Sequence, residues 1–551
     1  MFKGERYRKL ALVLLVAMFV GNVAAQPQRE RRIVAEPTSS PAATTTTTRG
    51  ETSAPGPRTL AELQSQIDQI VHQPVLQSGF FAVKIVSLDT GQVIFEQDAN
   101  KFVRPASNMK LYTVAAAFDR LTSDYHFITS VYAKEKPDKG TIKDDLIVFG
   151  RGDPSIAARF NNGDYFKGIN DLADRIVAAG VRRVKGDLVG DESYFNGAPL
   201  GSGWEWEDLQ WGYGAQVSAL TVNDNAIDLT VKPADRVSAP VVVTAGPPTA
   251  SFMKIENRAV TSPRGSKSDL RIYRGLGANT LELTGSLPLG DNGFSGSVAV
   301  SDPALAFIAL LRDALSKRGV KIDGRLRTVD ARTGGLFPNL SLGVAQSNAN
   351  QSAFLEIASL QSPPFSLIAA QTLKPSQNLY TEIILRTLGK QRTAASAPAT
   401  TSISSATDED SGLEIVRDFL HQAGVSDSSL YLSDGSGLSR NDMITANATV
   451  QLLTYMTKHR SFAAFRDALP IAGVDGTLRT RMRGTPAENN VRAKTGSLSS
   501  VASLSGYVTS AAGEHFVFSM MLNNYPDAAA LRRDSIDAIA VLLAAFAGKS
   551  E

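Results

Sequence analysis

The chain has 551 residues, 43% of them hydrophobic and 20% charged, with a formal net charge of +3; at ~150 residues per domain this describes three or four globular domains, not a disordered or polytopic membrane chain. It contains no cysteine, which removes disulfides, thiolate metal sites, iron–sulfur clusters, a cysteine nucleophile and a lipidated N-terminal cysteine. Its five histidines show no metal-ligand spacing, which argues against a zinc hydrolase, and no metal or cofactor is expected.

Lys3, Arg6, Arg8 and Lys9 precede an apolar run from Leu10 to Val20 that ends in Gly21-Asn22-Val23-Ala24-Ala25. This is the anatomy of a secretory signal cut after Ala25, because the run is too short for the ~20 residues of a spanning helix. Removing residues 1–25, with four basic side chains and one acidic, takes the formal charge from +3 to about zero. No stable membrane span and no nucleic-acid footprint then remain. An exported chain without cysteine suits a periplasm or cell envelope, and its substrate should be an envelope component.

Residues 26–58 are rich in Thr, Pro, Ala and Ser and read as a tether. Leu60, Leu63, Ile67 and Ile70 recur at helical spacing, and Gly79–Leu88 and Gln92–Gln97 read as a hairpin about Asp89-Thr90-Gly91. A helix is expected over Ser107–Leu121. From about Tyr125 to Ala345 the pattern changes to short alternating strands, with helices near Ile169–Ala179 and Pro303–Arg318. Helices return at Asn378–Leu388, Leu413–Ala423 and Ala446–Thr457. Strands follow at Val491–Lys494, Ala502–Thr509 and Phe516–Leu522, then a helix from Ala528 to about Phe546. Ala394–Asp410 reads as a mobile loop of low complexity.

Without cysteine or a Gly-x-Ser-x-Gly elbow, a serine nucleophile needs a base other than the usual histidine, and lysine is the alternative. Ser-x-x-Lys occurs at Ser107-Asn108-Met109-Lys110 and at Ser251-Phe252-Met253-Lys254. At the start of a helix, the i and i+3 positions put the Ser107 hydroxyl and Lys110 amine on one face, beside N–H groups that favour developing negative charge. Ser251 follows two prolines and reads as a loop coincidence. Ser-x-Asn occurs at Ser376-Gln377-Asn378 and Ser439-Arg440-Asn441, and Lys-Thr-Gly once, at Lys494-Thr495-Gly496. A cation and hydroxyl there can bind a carboxylate, and glycine admits a substrate backbone to the strand edge.

These motifs, with Asp434-Gly435-Ser436-Gly437-Leu438-Ser439-Arg440 and Arg492-Ala493-Lys494-Thr495-Gly496-Ser497-Leu498, resemble the D-alanyl-D-alanine carboxypeptidase/endopeptidase family, the class C low-molecular-mass penicillin-binding proteins. The resemblance implies an α/β (α+β) transpeptidase/beta-lactamase-like domain, an antiparallel sheet flanked by helices, over 59–128 and 346–551. It further implies two strand-rich inserted domains, one over 129–156 and 246–345, the other over 157–245. The 269 residues between Ser107 and Ser376 separate this pattern from compact beta-lactamases, which lack such an insertion.

By the same resemblance Ser107 would be the acylated nucleophile, Lys110 the general base, and Ser376 a proton relay to the leaving amine. Asn378 would hold the substrate amide, Lys494, Thr495 and Gly496 the terminal carboxylate, and the N–H groups of Ser107 and Ser497 the oxyanion. Arg440 is a further candidate for substrate contact, in a motif that also reads as a tight Gly-rich turn. The partners implied are peptidoglycan stem peptides and beta-lactam antibiotics, with no oligomeric state implied. Two other readings stand beside this one: a peptidoglycan-binding protein without turnover, and a beta-lactamase or esterase with fast deacylation. Trp204, Trp206 and Trp211 are close enough together to stack on glycan, though packing is the commoner use of such residues.

Overall fold

A computed structural model describes residues 56–246, 253–337, 354–396, 406–525 and 529–551. The expected signal, most of the tether and Ser251 of the second Ser-x-x-Lys lie outside the described residues. The chain folds as a mixed α/β protein with sheets flanked by helices.

The first helix, α1 (Leu60–Val71), opens on a reciprocal cap in which Glu62 N–H donates to Thr59 Oγ1 and Thr59 N–H to Glu62 Oε2. It precedes the hairpin β1 (Phe80–Ser87) and β2 (Val93–Gln97). These strands join β3 (Arg492–Leu498), β4 (Val501–Thr509) and β5 (His515–Asn523) in one antiparallel sheet, ordered β2-β1-β5-β4-β3. Strand alternation decides which face each side chain takes. On β5, Phe516, Phe518, Met520 and Leu522 pack with Leu63 and Ile67 of α1 and with the C-terminal helix Ala529–Ala545. Val517 and Met521 face the other way, into a core with α2 (Met109–Arg120), α3 (Asn378–Ser396), α4 (Asp408–Gln422) and α5 (Ala446–Thr457). Helix α2 is buried from Met109 to Phe118, so it runs through the centre of this core.

The residues between α2 and α3 form separate sheets. Leu326–Val329, Leu188–Asp191, Leu146–Phe149, Ile128–Ala133 and Leu355–Gln361 make a five-stranded sheet in that order. Its core includes helices Lys167–Ala178 and Pro303–Lys317. Strands between Ala226 and Ala299 form a further set of two- and three-stranded sheets around Leu229, Leu281 and Leu283.

This pairing departs from the expected boundaries. Leu188–Asp191, expected within 157–245, pairs in parallel with Leu146–Phe149 and Leu326–Val329, both expected in the other insert. The helix Lys167–Ala178 is the crossover joining two parallel strands, and local strand patterning does not reveal which distant strand a crossover reaches. The expected loop Ala394–Asp410 is also shorter on its described sides: α3 continues to Ser396 and α4 begins at Asp408, where Thr407 and Asp410 form a capping box. Residues 397–405 lie outside the described residues. The short helices Phe365–Leu373 and Phe462–Asp467, one beside Ser376 and the other of six residues, carry too little periodic signal to be foreseen.

Candidate active site

Ser107 sits in a 3₁₀ turn, Ala106–Asn108, that runs directly into α2. Edge strand β3 and the 434–439 loop hold this turn from two sides. At Gly437, in the left-handed region at φ 76°, an added Cβ would lie 1.9 Å from the Ala106 carbonyl oxygen. At Gly496 a Cβ would lie 2.7 Å from the Pro105 carbonyl oxygen and 3.0 Å from Ser107 N. The backbone that closes on Gly496 is therefore the protein's own.

One turn along α2, Lys110 Nζ is 3.0 Å from Ser107 Oγ, 2.6 Å from Asn378 Oδ1 and 2.7 Å from the Ser436 carbonyl oxygen. Asn378 heads α3, and its Nδ2 donates to the Tyr213 carbonyl at 2.9 Å, which orients Oδ1 toward Lys110. Ser376, at φ 65°, lies between the helix Phe365–Leu373 and α3. A non-glycine residue there costs on the order of 1–3 kcal/mol unless its surroundings fix it. Here Lys494 Nζ donates to its hydroxyl at 2.8 Å, and also to the Thr495 carbonyl at 2.8 Å. Thr495 Oγ1 donates to Thr477 Oγ1 at 2.7 Å, and Ser497 stands exposed on the same edge strand.

The structure thus brings together two hydrogen-bonded groups, Lys110 with Ser107 and Asn378 and Lys494 with Ser376, close enough for the charge of Lys110 to act on Lys494. Of the two Ser-x-Asn motifs, only 376–378 meets the lysines; Ser439 N–H and Asn441 N–H instead brace their own loop. Arg440 is engaged elsewhere, with Nε 2.8 Å from Glu205 Oε1 and Nη1 3.3 Å from Asp208 Oδ2.

Burial sets the electrostatics. The fully buried Lys110 amine is pushed down to about 7 by desolvation, against the opposing pull of Asp434, Glu382 and Asp442. Lys494 is also held well below the ordinary lysine value, by burial and then by the charge of Lys110. Burial and the Asp434 charge hold Glu382 and Asp442 well above the usual carboxylate range.

Sequence reasoning missed this acidic group and the Trp204 contact. The Trp204 indole donates to Asp434 Oδ2 at 2.8 Å, so this tryptophan packs against the catalytic region. Glu382 was accessible in principle, since it stands four residues beyond Asn378 on one helix face.

A five-stranded antiparallel sheet, helices on both faces, and a helix-borne Ser-x-x-Lys against the edge strand define the transpeptidase/beta-lactamase-like class. Residues 63–546 match the model of the D-Ala-D-Ala carboxypeptidase 3 (S13) family. The chain is 35% identical over 500 residues to the D-alanyl-D-alanine carboxypeptidase of Actinomadura sp. (strain R39), covering 89% of this chain and 86% of that one. It is 26% identical over 453 residues to the D-alanyl-D-alanine carboxypeptidase DacB of Haemophilus influenzae, covering 81% and 85%. The crystal structure of penicillin binding protein 4 from Haemophilus influenzae superposes with a TM-score of 0.71 at 22% identity, over 86% of this chain and 97% of that one, and shares the fold. The chain belongs to the D-Ala-D-Ala carboxypeptidase 3 (S13) family and is a serine peptidase. The resemblance read from the motifs is confirmed.

Among the described residues, no helix is long and apolar enough to cross a membrane.

Proposed function

We propose that the protein hydrolyses the D-Ala-D-Ala bond of peptidoglycan stem peptides, and peptide crosslinks of the same chemistry, through an acyl-enzyme on Ser107. The observation that carries this reading is the setting of the Lys110 amine. Two of its three neighbours, Asn378 Oδ1 and the Ser436 carbonyl, can only accept. A neutral amine spends both N–H groups on them, which leaves its lone pair facing the Ser107 hydroxyl at 3.0 Å.

Ser107 Oγ attacks the penultimate D-Ala carbonyl as its proton passes to Lys110. The developing oxyanion is held by the N–H groups of Ser107 and Ser497, where loss of one such donor typically costs ~10² to 10³ in rate. Collapse breaks the C–N bond, and the departing D-alanine amine takes a proton through Ser376. Lys494 and Thr495 bind its carboxylate. Water then attacks the ester carbonyl and gives a proton to Lys110, which passes it to Ser107 Oγ as the ester C–O bond breaks and the shortened peptide leaves. In a crosslink the leaving group is the side-chain amine of a second stem peptide, and the bonds made and broken are the same.

Residues 1–25 direct export, which places the enzyme in the periplasm or cell envelope beside this substrate. Beta-lactams, which mimic acyl-D-Ala-D-Ala, acylate the same serine; a beta-lactam complex of the Haemophilus influenzae penicillin binding protein 4, 21% identical, supports this.

The test is incubation of the purified mature protein with a fluorescent penicillin, followed by intact mass and peptide mapping. A stable adduct on Ser107, absent in Ser107→Ala, is expected. A folded protein that forms no adduct is a binding protein without turnover, and rapid drug hydrolysis without accumulation marks a beta-lactamase.

A further inference from the structure

Asp434 is fully buried, and its carboxylate accepts six hydrogen bonds. Oδ1 takes the N–H groups of Ser436 and Gly437; Oδ2 takes Leu438 N–H, Ser439 N–H, the Ser436 hydroxyl and the Trp204 indole. Five of these donors belong to one turn, the turn whose Ser436 carbonyl lies 2.7 Å from Lys110 Nζ. The sixth comes from 230 residues earlier, in the connection between Leu188–Asp191 and Ala226–Lys232.

That connection seats on the catalytic region at several points. Gly203 lies so close that a Cβ would be 2.4 Å from Ser439 Oγ. Ser202 N–H donates to Glu409 Oε1 at 2.8 Å, and the Tyr213 carbonyl orients Asn378. Both pure acceptors of the Lys110 amine are therefore set, directly or through Asp434, by residues 202–213.

We propose that Asp434 is a positioning residue for the Lys110 base, and that Trp204, by donating to it, makes seating of the 192–225 connection a condition for a competent base. This rests on the reading of Lys110 as the base. The turn gives Asp434 no freedom to move without dragging the Ser436 carbonyl, and its buried charge also acts on the amine itself. The groups facing that amine are Ser107 on its own turn, Asn378 and Glu382 from α3, Asp434, Ser436 and Asp442 from the loop, and Lys494 from β3.

The experiment measures penicillin acylation of Ser107 against pH and drug concentration in the full mature chain, for wild type, Trp204→Phe and Asp434→Asn. Trp204→Phe should lower the limiting acylation rate by between about tenfold and a hundredfold, the scale of a small misplacement remote from the reacting atoms, with the non-covalent drug affinity unchanged. Asp434→Asn removes the negative charge that favours the ammonium form, so the acid limb of the profile should move to lower pH while the plateau falls. A merely structural lesion would lower the rate equally at every pH. Wild-type rate and wild-type midpoint in both variants would overturn the proposal, as would a Trp204→Phe effect confined to drug affinity. If Asp434→Asn does not fold, Trp204→Phe alone decides. Wild-type protein that is never labelled at Ser107 overturns the catalytic reading instead, so the two failures are distinguishable.

Discussion

Lys494 and Ser376 are 118 positions apart, and the amine of the first donates to the hydroxyl of the second at 2.8 Å with both side chains buried. The same burial holds two amines, Lys110 and Lys494, and the charge of Lys110 disfavours that of Lys494. That repulsion works against the charge of Lys494, while desolvation alone brings Lys110 down to about 7.

Acylation should rise with pH through about 7, because Lys110 is the ammonium below that value and the free amine above it. Each unit below the midpoint should cost about tenfold in rate. Stopped-flow acylation by a fluorescent penicillin across the range measures this, and a flat profile through 7 would remove Lys110 as the base. Lys110→Arg, charged at every pH, should lose acylation by at least ~10².

Ser376→Ala deletes the hydroxyl that accepts from Lys494 and leaves that amine with only the Thr495 carbonyl among the bonds described above. Turnover of a D-Ala-D-Ala peptide should fall by roughly 10² to 10⁴, the usual worth of a positioned proton carrier. Binding of the peptide should change little, so the loss appears in kcat. Steady-state kinetics on the variant test both halves.

Gly496→Ala should be inactive and less stable by about 1–3 kcal/mol, the usual cost of overpacking. Its methyl would stand 2.2 Å from Ser503 Oγ, which itself donates to Pro105 O, and would press on the turn carrying Ser107. Urea unfolding reads the first effect and penicillin labelling the second.

Glu382→Gln should become progressively more stable than wild type as pH rises above 4.5, by at most about 1.4 kcal/mol per unit. The native carboxyl is held protonated well above that ordinary value, so above it the folded state binds more protons than the unfolded chain and wild-type stability declines with pH. Glutamine keeps the acceptor for Gly435 N–H and carries no proton to lose. Urea midpoints of both proteins at acid and alkaline pH decide it; parallel curves would refute the assignment.

The parts of this site legible in the sequence were those made of local spacing. Ser107 lies in the turn that runs into the helix of Lys110, Ser376 and Asn378 flank a helix start, and Lys494 lies on a strand, so each motif could be read in its own window. What holds them together was not legible. Asp434 was visible only as part of a Gly-rich turn, because its function depends on an indole 230 residues away. Arg440 read as a candidate for substrate contact or part of a tight turn, and the Glu205 and Asp208 that the fold sets against it are more than 230 residues away in the chain. The insert was read as strand-rich, but the parallel pairing of Leu146–Phe149 with Leu188–Asp191 depends on a crossover that no alternation pattern encodes.

In the catalytic sheet, β1 pairs along its whole length with β5, Phe80 opposite Asn523 through Ser87 opposite Phe516. A polypeptide is made from its N-terminus, so the turn carrying Ser107 exists as chain long before the strands that must lie beside it. The sheet can close only when residues through Asn523 have emerged, so the hydrolytic centre assembles after the inserted segments have been made. A nascent chain that stops short of these strands therefore carries the serine without the enzyme, and cannot act on any acyl-D-alanine it meets.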